Sequence, residues 1–147
     1  MVSGGFDPLH IGHVRYLREA KKLGDKLIVV INNDNWLRAK KGKEFMPEMD
    51  RKEILEAFDF VDQVFISNHK KGINYNNPIE RSVCEEIKIL KPHIFANGGD
   101  RKPDGDPVPE VAVCEELGIK LIYNVGKGGK VRSSSDLLKE YSKKTKR

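Results

Sequence analysis

The chain has little cysteine, one tryptophan, and no long apolar run in its 147 residues. Each scarcity excludes something. Cys84 and Cys114 stand far apart, each followed by Glu-Glu. They make no CxxC pair and have no neighbouring histidine, so neither a zinc site nor a disulfide framework is indicated. Reduced packing thiols are expected instead. A membrane helix needs about 18 or more consecutive apolar residues, and none is present. The N-terminus lacks a basic stretch followed by an apolar one, so no secretory signal is read. Cytoplasmic residence is the expectation. Repeats and low-complexity tracts are missing too, which argues against solenoids and disordered linkers.

What remains suits a globular chain. Hydrophobic residues make up 38% and charged residues 33%, a balance that buries a core. The length fits one domain, residues 1–147, large enough to need no staple. The formal net charge is +5, much of it in a basic tail at about 139–147, where Lys139, Lys143, Lys144, Lys146 and Arg147 gather. Such a tail suits a solvated helix end, where cations complement the helix dipole. The remaining cationic excess suits an anionic small substrate, and no nucleic-acid partner is expected.

Short apolar runs alternate with amphipathic ones. Lys26–Asn32, Gln63–Ile66, His93–Ala96 and Lys120–Val125 read as buried strands. Residues 13–23, 48–58, 79–90, 108–117 and 134–144 read as helices. Gly24 and Gly118 mark two C-termini, and Pro92 stops a third helix. Strands alternating with helices imply right-handed βαβ units. The fold expected is α/β: a single Rossmann-like domain, with a parallel five-stranded sheet and helices on both faces. Its first strand retains only Met1, Val2 and Ser3 ahead of the glycines. That is short for a central strand, and further chain upstream would lengthen it.

The chemistry concentrates where that strand hands over to the first helix, at Ser3-Gly4-Gly5-Phe6-Asp7-Pro8-Leu9-His10-Ile11-Gly12-His13. Ligands of open α/β sheets bind outside the carboxyl ends of the strands. Gly4 and Gly5 let backbone amides approach an anion, and the helix N-terminus adds amides and a positive dipole end. His10 and His13 are three apart and can face one phosphate, donating to its oxygens as charge builds. Phosphoryl-type transfer needs mainly such positioning and charge stabilisation. A third metal ligand is missing from the motif, so a zinc site is disfavoured.

The segment resembles the signature of the HxGH nucleotidyltransferases, in their cytidylyltransferase-like branch. The likeness runs along nearly the whole chain. It is similar to glycerol-3-phosphate cytidylyltransferases and to the nucleotidyltransferase domain of bacterial ADP-heptose synthases. The resemblance implies a Rossmann-like enzyme that moves a nucleotidyl group from CTP or ATP to a phosphorylated small molecule, a polyol or sugar phosphate. Pyrophosphate leaves. It also implies Mg2+ as the companion of the nucleotide, a homodimer, and no metal held by protein side chains.

The resemblance also assigns residues. His10 and His13 are catalytic. Gly4, Gly5, Phe6 and Asp7 line the nucleotide. After strand 2, Lys40 and Lys43 match phosphate-gripping lysines of a mobile loop, with Lys41 as a neighbour that can substitute. Arg51 matches an arginine that closes on the substrate phosphate, a task its planar fork suits. Gly98, Gly99 and Asp100, after strand 4, frame base and ribose. Ser133, Ser134 and Ser135 match a hydroxyl run at a helix N-terminus, where hydroxyls and amides bind a triphosphate. The same serines also suit an N-cap. The pattern departs here: the family's leading arginine is missing, and Arg132 stands where isoleucine is usual. Lys127, Lys130 or Arg132 can restore the charge.

Two matters stay open at this stage. The Gly-Gly-Asp segment leans toward ATP and the short length toward CTP. A non-catalytic nucleotide- or RNA-binding module is the rival reading, and it requires salt-dependent binding that vanishes without residues 139–147.

Overall fold

The structure, a computed structural model, describes residues 1–98, 109–126 and 133–145. Among these, strands and helices alternate as β1 (Val2–Gly4), α1 (Ile11–Lys21), β2 (Ile28–Ile31), α2 (Asp34–Lys41), α3 (Glu48–Glu56) and β3 (Gln63–Ile66). Then follow α4 (Cys84–Leu90), β4 (Ile94–Gly98), α5 (Pro109–Leu117), β5 (Lys120–Val125) and α6 (Ser134–Thr145). Every strand pairing is parallel, as continuous β-branched runs demand. None of these helices is long and apolar enough to cross a membrane.

The single five-stranded sheet expected from the sequence is not formed. β1, β2 and β3 make one sheet, and β4 and β5 another. The length of β1 is the physical reason. All of it is used against β2, Val2 to Val29, Ser3 to Val30 and Gly4 to Ile31. Toward β4 only Met1 remains: its amino nitrogen donates to the Ile94 carbonyl at 2.7 Å, and Ala96 N–H donates to the Met1 carbonyl at 3.0 Å. Those contacts join the sheets without extending a ladder.

Two cores lie on opposite faces, with period-two alternation sorting β2 between them. Val29 and Ile31 pack with Val2, Leu17, Ala20 and Leu55, the side of α1 and α3. Val30 packs with Val83, Ile87, Phe95, Val113 and Cys114, the side of α4 and α5. Both cysteines are free. Burial raises the pKa of Cys84 and pushes that of Cys114 up to about 11, the reverse of a reactive thiolate.

Three helix boundaries differ from the periodicity reading. α1 starts earlier because His10 caps it. The lysine-rich segment expected as a loop is largely helix α2. Asn33 caps it by accepting from Trp36 N–H, Trp36 and Leu37 are buried, and Gly42 ends it at φ 88°. Conversely, α4 starts late. The carbonyls of Arg81 and Ser82 accept from Trp36 Nε1 at 3.0 Å and lie 2.8 Å from His69 Nε2, tertiary contacts that replace a helical ladder.

Leu17 has no solvent exposure and touches the β1–β2 core. Leu17→Ala is expected to lower unfolding free energy by about 2–5 kcal/mol, read from urea denaturation.

Candidate active site

β1 ends at Gly4 and α1 begins at Ile11, so the turn between them sits at the carboxyl edge of its sheet. His10 is the N-cap of α1. Its Nδ1 accepts from Gly12 N–H at 3.1 Å, and His13 Nδ1 accepts from His10 N–H at 3.2 Å. This reciprocal cap satisfies donors that a helix start leaves open. It also fixes chemistry. With Nδ1 accepting, each neutral ring carries its proton on Nε2, as a donor. The two imidazoles stack with centroids 3.8 Å apart, and Phe6 meets His13 edge-on at 4.9 Å.

The glycines answer first to packing. A Cβ on Gly4 would lie 3.2 Å from the Phe6 ring, and one on Gly5 would lie 3.3 Å from Leu37 Cδ2. Phe6 itself, at φ 51°, sinks its ring into the first core, so its backbone alone is left to line a nucleotide. The Asp7–Pro8 peptide is cis.

Asp7 is buried, and its carboxylate is committed within the protein. It accepts from Phe45 N–H at 2.7 Å and Met46 N–H at 2.6 Å, and pairs with Lys41 Nζ at 3.1 Å. Lys41 also donates to the Asp7 carbonyl at 2.7 Å. Of the lysines weighed from the sequence, it is therefore Lys41 that reaches the first turn. Lys40 places its ammonium over the Trp36 ring, 5.2 Å from the centroid, and Lys43 is exposed.

Arg51 is wholly buried. Its Nε donates to Met46 O at 2.9 Å, and one terminal nitrogen donates to Gly5 O at 2.7 Å and Asn32 O at 2.6 Å. The other pairs with Asp34 at 2.8 Å. The guanidinium expected to close on substrate phosphate is turned inward. It clamps the ends of β1 and β2, because the carboxyl-end carbonyls there need donors once buried.

The last helix joins the turn from the other side. Ser134 Oγ donates to the Pro8 carbonyl at 2.8 Å, Ser133 Oγ accepts from Asp136 N–H at 3.4 Å, and Ser135 is half-buried. Gly126, at φ 96°, approaches α1 so closely that an added Cβ would lie 3.4 Å from Tyr16 Cα. Tyr16 in turn donates to Ala96 O at 2.6 Å. The N-termini of α1 and α6, both anion-attracting, thus flank one turn. Gly98 ends β4, opposite Val125. Asp100, Lys127, Lys130 and Arg132 lie outside the described residues. The clamp roles of Asp7, Lys41 and Arg51 were missed in the sequence. The one signal available was acidic and basic residues close to turn-forming prolines and glycines.

Beyond the turn, Arg38 holds Glu44 in a fork, Nε to Oε2 at 2.8 Å and the terminal nitrogen to Oε1 at 3.0 Å. That hydrogen bonding lowers the Glu44 pKa to about 2.

The cytidylyltransferase-like family profile matches residues 1–116. The chain is 41% identical to a FAD synthase of Pyrococcus abyssi over 122 residues, 82% of this chain and 74% of that protein. It is 41% identical to the bifunctional protein HldE of Pelobacter propionicus over 105 residues, 70% of this chain but 19% of that larger protein. Among solved structures it resembles the lipopolysaccharide core biosynthesis protein of Thermoplasma volcanium. The TM-score is 0.64 at 26% identity, covering 85% of this chain and 94% of that one.

Asp7→Asn is expected to lower stability by about 2 kcal/mol, measured by denaturant unfolding, since it weakens charge-assisted bonds to Phe45, Met46 and Lys41. The Glu44 carboxylate has a folded pKa below its ordinary 4.5, so its contribution to stability is full above that value and lost as pH falls through about 2. An NMR titration is expected to place its midpoint near the lower figure, and Arg38→Ala to return it toward the ordinary one.

Proposed function

We propose that this chain, which belongs to the cytidylyltransferase-like family, transfers a nucleotidyl group from CTP or ATP to the phosphate of a small acceptor. The observation that carries the reading is the pair of stacked, helix-capping imidazoles on the first turn, each with Nε2 as its donor.

In this reading the triphosphate lies over the turn, between the N-termini of α1 and α6. An acceptor phosphate oxygen attacks the α-phosphorus in line. The new P–O bond forms as the bond to the β-phosphate oxygen breaks, and pyrophosphate leaves. His10 and His13 donate to the oxygens that gain charge. Ser133, Ser134, Ser135 and the amides of Gly4 and Gly5 hold phosphate oxygens. Lys40, Lys43, Lys127, Lys130 and Arg132 supply further charge, while Gly98 and Asp100 frame base and ribose. Arg51 is a positioning residue, acting through the carbonyls of Gly5 and Asn32.

Mg2+ would arrive on the triphosphate's own oxygens. Among the described residues no three His, Cys, Asp or Glu side chains gather to hold a metal, and the Asp7 carboxylate is already engaged. FAD contains an adenylyl group, so the similarity to proteins named FAD synthase favours ATP as donor. The acceptor is a polyol phosphate, a sugar phosphate or a flavin phosphate.

The test supplies CTP or ATP with glycerol 3-phosphate, sugar phosphates and FMN, and follows pyrophosphate. Release is expected only with donor and acceptor together. His10→Ala and His13→Ala are each expected to slow it about a hundredfold with the circular dichroism spectrum unchanged. A folded chain that binds neither nucleotide would sink the reading.

A further inference from the structure

The first turn presents donors. On the opposite face of the β1–β2 edge, buried polar groups present acceptors. Two of these oxygens have no hydrogen-bond partner: Asn32 Oδ1 and Glu86 Oε2. Asn32 is 6% exposed and Glu86 8% exposed. A buried oxygen without a donor costs about 1–3 kcal/mol, more when charged, so two of them near one strand end call for an explanation.

They belong to one neighbourhood. Asn32 follows β2, and alternation puts it on the Val30 face, the face that Val83 and Ile87 of the α4 region cover. Both neighbours of Asn32 bond Ser67: its N–H donates to Ile31 O at 2.8 Å, and its Oγ accepts from Asn33 N–H at 2.9 Å. The next residue, Asn68, donates its N–H to Glu86 Oε1 at 2.8 Å. Ser67 and Asn68 therefore tether the α4 carboxylate to the carboxyl end of β2. The backbone of that same Asn32 is held by Arg51, which also holds Gly5 of the first turn.

The geometry points to an acceptor subsite in which Asn32 and Glu86 receive hydrogen bonds from hydroxyl groups of a phosphorylated polyol. This deepens the proposed nucleotidyl transfer and rests on it. The chemistry follows from what each side lacks. Imidazole Nε2–H groups and helix amides suit phosphate; lone acceptor oxygens suit hydroxyl protons. A molecule with phosphate at one end and hydroxyls along its chain satisfies both. A metal is a poorer guest, since among the described residues no third carboxylate, imidazole or thiol joins to bind one. A phosphate ester without hydroxyls would leave both oxygens unpaired, and sites built around substrate hydroxyls reject analogues that lack them.

Calorimetry tests this without requiring turnover. Glycerol 3-phosphate and ribitol 5-phosphate are compared with n-propyl phosphate, on the full chain, with ATP or CTP binding measured in parallel. The hydroxylated probes are expected to bind about tenfold or more tightly than n-propyl phosphate. Glu86→Gln, which exchanges an acceptor for a donor, is expected to bring that ratio to within about threefold while nucleotide affinity holds. A merely structural role would change the unfolding midpoint and leave the ratio alone. Should Glu86→Gln fail to fold, Asn32→Ala is subject to the same comparison, and the wild-type ratio stands independently. Equal binding of all three esters would overturn the subsite and leave the oxygens to water; so would a ratio unaltered in a folded variant. Absence of nucleotide binding is a different result, and it would instead strike the proposed transfer.

Discussion

Everything near the first turn hangs on the Arg51 guanidinium. It has no solvent exposure, and its nitrogens bond Met46, Gly5, Asn32 and Asp34. Strand ends at a carboxyl edge leave carbonyls that the sheet does not pair. If buried, these must find donors. A guanidinium offers five N–H groups in a fixed plane, which lets one side chain serve several segments at once. The cost is a buried charge, and the Asp34 carboxylate offsets it at 2.8 Å. The clamp thus sets the separation between the end of β1, the end of β2 and the chain entering α3.

Asp7 repeats this logic from the opposite charge. Its carboxylate gathers Phe45 N–H, Met46 N–H and Lys41, so the first turn and the segment after α2 become one unit. Between them, Arg51 and Asp7 use charged groups for internal rigidity. The imidazoles are thereby left on a fixed platform: each ring is held through Nδ1, and the rings hold one another by stacking. Preorganised donors of this kind need little rearrangement when charge develops.

Much of the fold was legible in the linear pattern. Apolar runs such as Gln63–Ile66 and Lys120–Val125 match β3 and β5 in the structure, because continuous β-branched runs have few other stable arrangements. Helix α2 was not legible. Its charged surface reads as loop, and what makes it a helix is the burial of Trp36 and Leu37 against the turn together with the Asn33 cap. The separate sheets were not legible either, since periodicity carries no information on whether a three-residue strand can support ladders on both edges.

The sequence by itself determined the α/β class, the parallel pairing and the position of the His-Ile-Gly-His turn ahead of a helix. These follow from local periods and from glycine and proline chemistry, which short segments carry in full. The tertiary structure alone decided the direction of the polar side chains. Arg51 turns inward and Lys41, rather than Lys40, reaches the turn because carbonyls and a carboxylate from distant segments converge there and need donors. The donor-rich and acceptor-rich sides likewise arise only when β2, Ser67 and α4 come together. Hydrogen-bond satisfaction in a buried interior is a property of the assembled neighbourhood, and no single stretch of chain encodes it.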